Sequence, residues 1–150
     1  SGQEYAGIII NGAKLLFAYG EATIPKVTVT IRKSYGGAHD VMSCKQLRGD
    51  FNYAWQTAEM AVMGSGGAIE VLEGKTIAAM TDEAERKAYI AEKENEYKEK
   101  FANPYEAAAY GYIDDVIEPR NTRFRVIRAF EALQTKKVLN PPRKHANMPL

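Results

Sequence analysis

The sequence of 150 residues has very little of several features that mark specialised protein classes. Its single cysteine, Cys44, excludes an internal disulfide, and its two histidines, His39 and His145, lie too far apart in sequence to predict a metal cluster. The 20 basic and 19 acidic side chains leave a net charge of +1, which gives no reason to expect nucleic-acid or membrane binding. No apolar run approaches the roughly 18 residues of a membrane span, and the first residues lack a signal-peptide pattern. We therefore expect one cytoplasmic domain.

The apolar pattern predicts an α/β domain with two layers. β-Branched residues alternate with polar ones at 26–31, and further strands are predicted at 51–55, 59–63 and 112–117. Helical patterns occupy residues 5–22, 69–72, 82–101 and 104–110 and a last helix with Phe124, Ile127, Phe130 and Leu133. Thr81 is the predicted cap of the charged helix 82–101, to which we assign no binding role.

The chain is organised around residues 32–47, where Gly36 and Gly37 lie between a predicted strand and a predicted helix. Apolar residues at three-residue steps indicate that helix: Val41, Cys44 and Leu47. The first turn of a helix has unpaired N–H groups and the positive end of the dipole. The amides of Gly37 and Ala38 could therefore donate to a developing oxyanion. The alternative is a strand-to-helix turn that needs glycine only for its backbone.

The same arrangement of strand, glycine-rich loop and helix occurs again at Gly66 and Gly67. Two such loops could each contribute one amide to a shared oxyanion site. Two tight turns required only for packing are the alternative.

Other combinations of reactive side chains are weaker. His39 lies one helical turn before Ser43, but neighbours on one helix rarely form a nucleophile and its base, so a polar surface pair is favoured. Asp114 and Asp115 are consecutive and point to opposite faces of an extended segment. Asp40 falls in the first turn of the predicted helix, where the dipole alone stabilises an acid.

A series of segments in one register carries a family resemblance. They are residues 7–19, 21–29, 32–38, 40–42, 52–55, 57–59, 61–64, 101–105, 111–117 and 141–145. Together they resemble the carboxyltransferase (β) subunits of biotin-dependent acyl-CoA carboxylases, a group that includes propionyl-CoA carboxylase β chains and methylmalonyl-CoA decarboxylase α chains. The family's subunit has two crotonase-like halves, and this chain resembles only the C-terminal one.

The resemblance implies a crotonase-like α/β fold, a superhelix of ββα units, with residues 1–150 as one domain and residues 140–150 as an extended tail. In the family the N-terminal half holds the acyl-CoA, whereas the C-terminal half receives carboxybiotin. The active site lies where the N-terminal half of one subunit meets the C-terminal half of another. Biotin would arrive on a separate carrier, and the CoA thioester would be bound mainly by the other half.

The implied partners follow from that arrangement. They are the N-terminal carboxyltransferase half of a neighbouring subunit, the biotin carboxyl carrier protein, the biotin carboxylase subunit and further copies of the chain, as a hexamer at full length. Because the acyl-CoA half is missing, we expect no carboxyltransferase activity from these 150 residues alone.

The resemblance also assigns roles to residues. The amides of Gly37 and Ala38 would donate to the ureido oxygen of biotin, and Asp40 would line the acyl pocket and help set chain length. The other residues expected to border the substrates are Gly36, His39, Gly66 and Gly67. His39 stands where many relatives have tyrosine, which leaves substrate choice open.

Three other functions stay open. A sodium-pumping methylmalonyl-CoA decarboxylase differs from a carboxylase in its partner subunits, so its carboxyltransferase subunit would have the same sequence features. A structural or dimerisation module would use the glycines only to turn corners and the apolar first helix to contact a partner. A hydratase or isomerase of the wider crotonase group would need a carboxylate base, for which no residue is an evident candidate.

Overall fold

The computed structural model describes residues 2–143 and 146–148 of the chain. Positions 144, 145, 149 and 150 of the predicted tail lie outside the described residues, and the described part of the tail has neither helix nor strand. Five strands are present in this part of the chain: β1 (Val27–Thr30), β2 (Lys33–Tyr35), β3 (Phe51–Trp55), β4 (Glu59–Ala61) and β5 (Asp115–Ile117). They form two parallel sheets, one with the order β1-β3-β5 and one that pairs β2 with β4.

The strands agree with most of the sequence pattern. The alternation at residues 26–31 forms β1, and the strand predicted at 51–55 is confirmed as β3, whose middle residues are buried between β1 and β5. β4 ends two residues before the predicted limit at position 63, and β5 occupies only the end of the segment 112–117. β2 was not predicted, because three residues are too few to show a period.

Seven helices accompany the strands in the described residues. They are α1 (Gly2–Tyr5), α2 (Ile8–Glu21), α3 (Gly36–Val41), α4 (Ser65–Ala79), α5 (Glu83–Lys100), α6 (Pro104–Ala109) and α7 (Thr122–Ala132). The helix predicted at 5–22 is thus divided, since Gly7 has a φ of 89°, a left-handed conformation that interrupts the helix.

Three helix predictions need correction. The helix expected to run through Leu47 ends at Val41, because Ser43 takes a φ of 66°, and a separate 3₁₀ turn follows at Lys45–Leu47. The helix expected only at 69–72 spans 15 residues as α4, although its apolar residues show no helical period. Asp82 rather than Thr81 caps α5, since its carboxylate accepts from two amides of the first turn.

The end of α2 is held by side chains from distant parts of the chain. The carbonyl oxygens of residues 19–21, which have no partner within the helix, accept from Lys26 Nζ at 2.6 Å, Arg48 at 2.9 Å and Asn140 Nδ2 at 2.9 Å. These contacts tie the start of β1, the 3₁₀ region and the C-terminal segment to one helix end.

A partly buried ion pair between Lys136 and Asp50 extends this network. Asp50 Oδ2 accepts from the Lys26 amide and from Lys136 Nζ, both at 2.7 Å. Burial on its own raises the pKa of Asp50, but the hydrogen bonds from Lys136 and the Lys26 amide outweigh it and lower that pKa. Burial, with the nearby positive charge of Lys136, lowers the pKa of Lys26.

The core is small, and several helices leave apolar side chains exposed. One cluster of buried residues is built around Ala54 and Met60, and another around Tyr53 and Ile117. No residue of α2 is buried, and among its exposed side chains are Ile8, Ile9, Ile10, Leu15 and Leu16. The stripe predicted on the last helix is also exposed, at Phe124, Ile127 and Phe130. None of the described helices combines the length and the apolar character needed to cross a membrane.

Candidate functional site

The site is built where the β2–β4 pair ends. Tyr35 and Ala61 are paired at the carboxyl ends of these parallel strands, and α3 begins at the next residue, Gly36. Gly36 has a φ of 51°, and a Cβ atom there would lie 2.8 Å from the carbonyl oxygen of Val62. Only glycine fits this position, since both the backbone conformation and the close approach exclude a side chain.

The amides expected to donate lie directly behind this turn. Gly37 and Ala38 are exposed at the second and third positions of α3, where N–H groups have no partner within the helix. Neither amide donates to any acceptor in residues 2–143 and 146–148. An added Cβ at Gly37 would meet no heavy atom within 4 Å. Both donors are therefore available to another molecule.

A cavity of about 730 Å³ opens beside Gly37, whereas Ala38, the next residue of α3, is not among the residues that line it. Four of the predicted site residues line it: Gly36, Gly37, His39 and Asp40. Its walls are mainly apolar, and aromatic side chains form one of them: Tyr97, Phe101, Tyr110 and Tyr112. The volume suits a ligand of cofactor or drug-like size.

Hydrogen bonds fix the polar side chains next to the cavity. His39 Nδ1 lies 2.9 Å from Ser34 Oγ, so His39 pairs with that serine rather than with Ser43, whose hydroxyl is buried without a partner in the described structure. Tyr35 donates its hydroxyl to the Glu59 carboxylate. Burial, followed by this hydrogen bond, raises the pKa of Tyr35 to about 12 and keeps the phenol protonated at neutral pH.

The second glycine loop faces elsewhere. Gly66 lines a separate cavity of about 640 Å³ between α4 and α5, and an added Cβ at Gly66 would lie 3.4 Å from Glu94 Oε1. Gly67 is exposed and lines neither cavity. The two loops begin at one sheet edge, yet the structure groups only the first with His39 and Asp40. An amide contributed by Gly66 or Gly67 stays a prediction.

Sequence reasoning missed the aromatic wall. The sequence places Tyr97 and Phe101 on the narrow apolar stripe of the charged helix 82–101, to which no binding role was given. Their ring centroids are 5.5 Å apart, and those of Tyr110 and Tyr112, beyond α6, are 6.0 Å apart. Glu106, also unremarked in the sequence, lines the same cavity.

A metal could be held by one set of side chains in this region. His39, Asp40 and Cys44 each place a donor atom within 4.8 Å of the other two. The sequence does not reveal this group. The turn at Ser43, which was not predicted, brings Cys44 back toward α3.

Known proteins share this architecture. The crystal structure of transcarboxylase 12S, solved as a hexamer with methylmalonyl-coenzyme A and methylmalonic acid bound, superposes with a TM-score of 0.88 at 49% identity and covers 99% of this chain. The propionyl-CoA carboxylase beta chain of Cereibacter sphaeroides is 58% identical over all 150 residues. The methylmalonyl-CoA decarboxylase subunit alpha of Propionigenium modestum is 50% identical over 148 residues, 99% of the chain.

The fold is that of a crotonase-like α/β domain, the architecture of its carboxyltransferase neighbours. A family model described as the carboxyl transferase domain matches residues 1–148, and the chain belongs to that family, as the resemblance predicted. The chain spans 28% of the length of each of the three proteins named above.

Proposed function

We propose that this chain is the carboxybiotin-receiving half of an acyl-CoA carboxyltransferase that moves a carboxyl group between biotin and propionyl-CoA or methylmalonyl-CoA. The observation that carries the proposal is the pair of unpartnered amides at Gly37 and Ala38, of which Gly37 lines a large, mainly apolar cavity. The family to which the chain belongs and its relatives supply the substrate class.

The residues present fit a planar cyclic urea. Gly37 has no neighbour within 4 Å of where a Cβ would be, so the ring of a ligand can approach its backbone closely. Bound carboxybiotin would supply the carboxyl group for transfer. The amides of Gly37 and Ala38 are already oriented by the helix and would stabilise negative charge on the ureido oxygen, each contributing about 3 kcal/mol to the transition state.

The charged residues would act on the acyl group. Asp40 is exposed and lines the same cavity as Gly37, so it can limit the length and polarity of the acyl chain that enters. His39, oriented by Ser34, borders the same space. Gly36 would act indirectly, since its close approach to Val62 positions the first turn of α3.

The exposed apolar surfaces indicate what completes the enzyme. We expect the N-terminal half of a neighbouring subunit to cover α2, whose 14 residues include none that is buried. That half would hold the acyl-CoA, and a biotin carboxyl carrier protein loaded by a biotin carboxylase would deliver biotin. The hexamer assembly of transcarboxylase 12S supports assembly of several copies. The 150 residues alone would show no turnover of propionyl-CoA, and a measurable rate would contradict this division of the site.

A second function is favoured by one specific observation. The 50% identity to a methylmalonyl-CoA decarboxylase alpha subunit makes the carboxyltransferase of a sodium-coupled decarboxylase the alternative. Both functions use the same site, so the subunits that purify with the full-length protein distinguish them: a biotin carboxylase in one case and a membrane-embedded decarboxylase subunit in the other.

The test replaces Gly37 by valine in the full-length subunit. The added side chain enters open space, so folding should be retained, but it occupies the proposed position of the urea and should lower carboxyl transfer by about 100-fold or more. Gly74→Val is the matched control, because Gly74 lies in α4 with equally open surroundings and does not line the larger cavity. Loss of assembly in Gly37→Val, with light scattering showing dissociated subunits, would favour the structural module instead.

A further inference from the structure

Three different metal-binding side chains converge beside the proposed active site. A ring nitrogen of His39, a carboxylate oxygen of Asp40 and the sulfur of Cys44 all lie within 4.8 Å of one another. Nitrogen, oxygen and sulfur donors are those that zinc takes from proteins, and three protein donors with a fourth position left to water form a common open zinc site.

The backbone holds two of these residues in place. After α3 the chain turns back at Ser43, with a φ of 66°, and the Cys44 carbonyl then accepts from the amides of Leu47 at 3.1 Å and Gly49 at 3.0 Å. His39 is oriented through Nδ1 by Ser34 Oγ at 2.9 Å. Coordination through Nε2 would leave that contact intact, which is how outer-shell groups orient histidine ligands.

The third residue can complete the site. Asp40 is exposed and its carboxylate makes no hydrogen bond or ion pair with the described residues, whereas Cys44 is 2% exposed. Ligand atoms around a tetrahedral zinc ion lie about 3.3–3.8 Å apart, as follows from Zn–N and Zn–S bonds of about 2.0–2.3 Å. The three donor atoms lie within 4.8 Å of one another, so side-chain movements of about 1 Å would bring the set to bonding distance.

We propose that the side chains of His39, Asp40 and Cys44 bind a divalent transition-metal ion and that this ion is zinc. The ion bonds to the Cys44 thiolate, the Asp40 carboxylate and a neutral His39 imidazole, and the thiol proton passes to solvent as the Zn–S bond forms. The ion enters from the exposed Asp40 side, since the sulfur faces inward.

Metal binding should also reduce carboxyl transfer. His39 and Asp40 line the cavity in which the substrates are proposed to meet, and coordination withdraws both side chains from it. This consequence rests on the proposed function, whereas the metal site itself does not.

The experiment uses the full-length subunit, freed of metal with a chelator and titrated with Co²⁺ as a spectroscopic probe. We expect one cobalt ion per subunit, with a thiolate-to-cobalt absorption band in the near ultraviolet. Zn²⁺ should displace the cobalt ion and remove this band. Cys44→Ser keeps the size of the residue and should abolish the band. Ser34→Ala does not touch the ion and should weaken binding about 10- to 100-fold by releasing the imidazole. Met42→Ala, at an exposed neighbour, should leave the band unchanged.

The proposal is overturned if the wild-type subunit gives no band, or if the band persists in Cys44→Ser. If Cys44→Ser fails to assemble, His39→Gln replaces it, and an unchanged cobalt affinity in that variant is equally decisive against the site. Micromolar Zn²⁺ should inhibit the wild-type holoenzyme and not the Cys44→Ser holoenzyme. A normal cobalt spectrum in a subunit that transfers no carboxyl group would count against the proposed function and in favour of the metal site.

Discussion

Two adjacent glycines provide a direct test of how the start of α3 is built. Gly36 has a φ of 51° and a close contact with β4, whereas Gly37 has an ordinary backbone and open surroundings. Alanine adds the same methyl group at both positions. Any difference in stability between the two variants should therefore come from the backbone conformation and the space around the added methyl group.

The magnitudes follow from the geometry. At Gly36, alanine in the left-handed region costs about 1–2 kcal/mol. The Cβ would also lie 2.8 Å from the Val62 oxygen, a backbone atom that cannot rotate away, and overpacking of this kind adds about 1–3 kcal/mol. At Gly37, alanine should range from neutral to a gain of about 1 kcal/mol, because it favours the helix over the unfolded chain.

Urea unfolding of the full-length subunit, followed by circular dichroism, measures both free energies. Gly36→Ala should unfold at clearly lower urea, and Gly37→Ala at the wild-type concentration or above it. Equal losses of stability in the two variants would refute the assignment of a strained, closely packed turn at Gly36. Carboxyl transfer in Gly36→Ala should fall as well, since the helix start that presents the amides must move.

Three further predictions concern charge and capping. Asp50→Asn should cost about 1–3 kcal/mol of unfolding free energy, because it leaves the partly buried Lys136 ammonium beside a neutral amide; unchanged stability in urea unfolding would contradict a contribution from this pair. Folding lowers the pKa of the Asp50 carboxyl. Its contribution to stability is therefore complete above the ordinary pKa of 3.8 and is lost as the pH falls through the lower pKa of the folded protein. Asp50→Asn should not show this loss of stability in acid. Asp82→Ala should cost about 1 kcal/mol by uncapping α5, measured by thermal unfolding. Because the pKa of Tyr35 is raised to about 12, stability from its neutral phenol should fall as pH rises from 10 through 12, and Tyr35→Phe should remove this slope from an alkaline titration.

The sequence predicted the features that depend on long patterns or on local chemistry. The alternating β-branched residues of β1 and the five residues of β3 gave the main sheet. The prediction that Asp114 and Asp115 face apart also agrees with the structure, since Asp114 accepts from the amide of Asn52 and Asp115 pairs with Arg125.

The features that escaped prediction depend on tertiary contacts or on short elements. β2 exists because β4 lies beside it, and its three residues carry no period of their own. α4 begins in a glycine-rich segment and lacks an apolar stripe, so nothing local marks its length. Cys44 reaches His39 only through the left-handed turn at Ser43, a conformation that serine does not signal.

The separation of the strands into two sheets has a consequence for local opening. The β2–β4 ribbon has three residues in each strand and pairs with no further strand of the described residues, whereas β3 is bonded on both sides. A two-stranded ribbon is marginal by itself, so its amides should exchange with deuterium well before those of β3. Docking of the half-subunit proposed above should slow that exchange, and the proposed site would then be rigid only in the assembly.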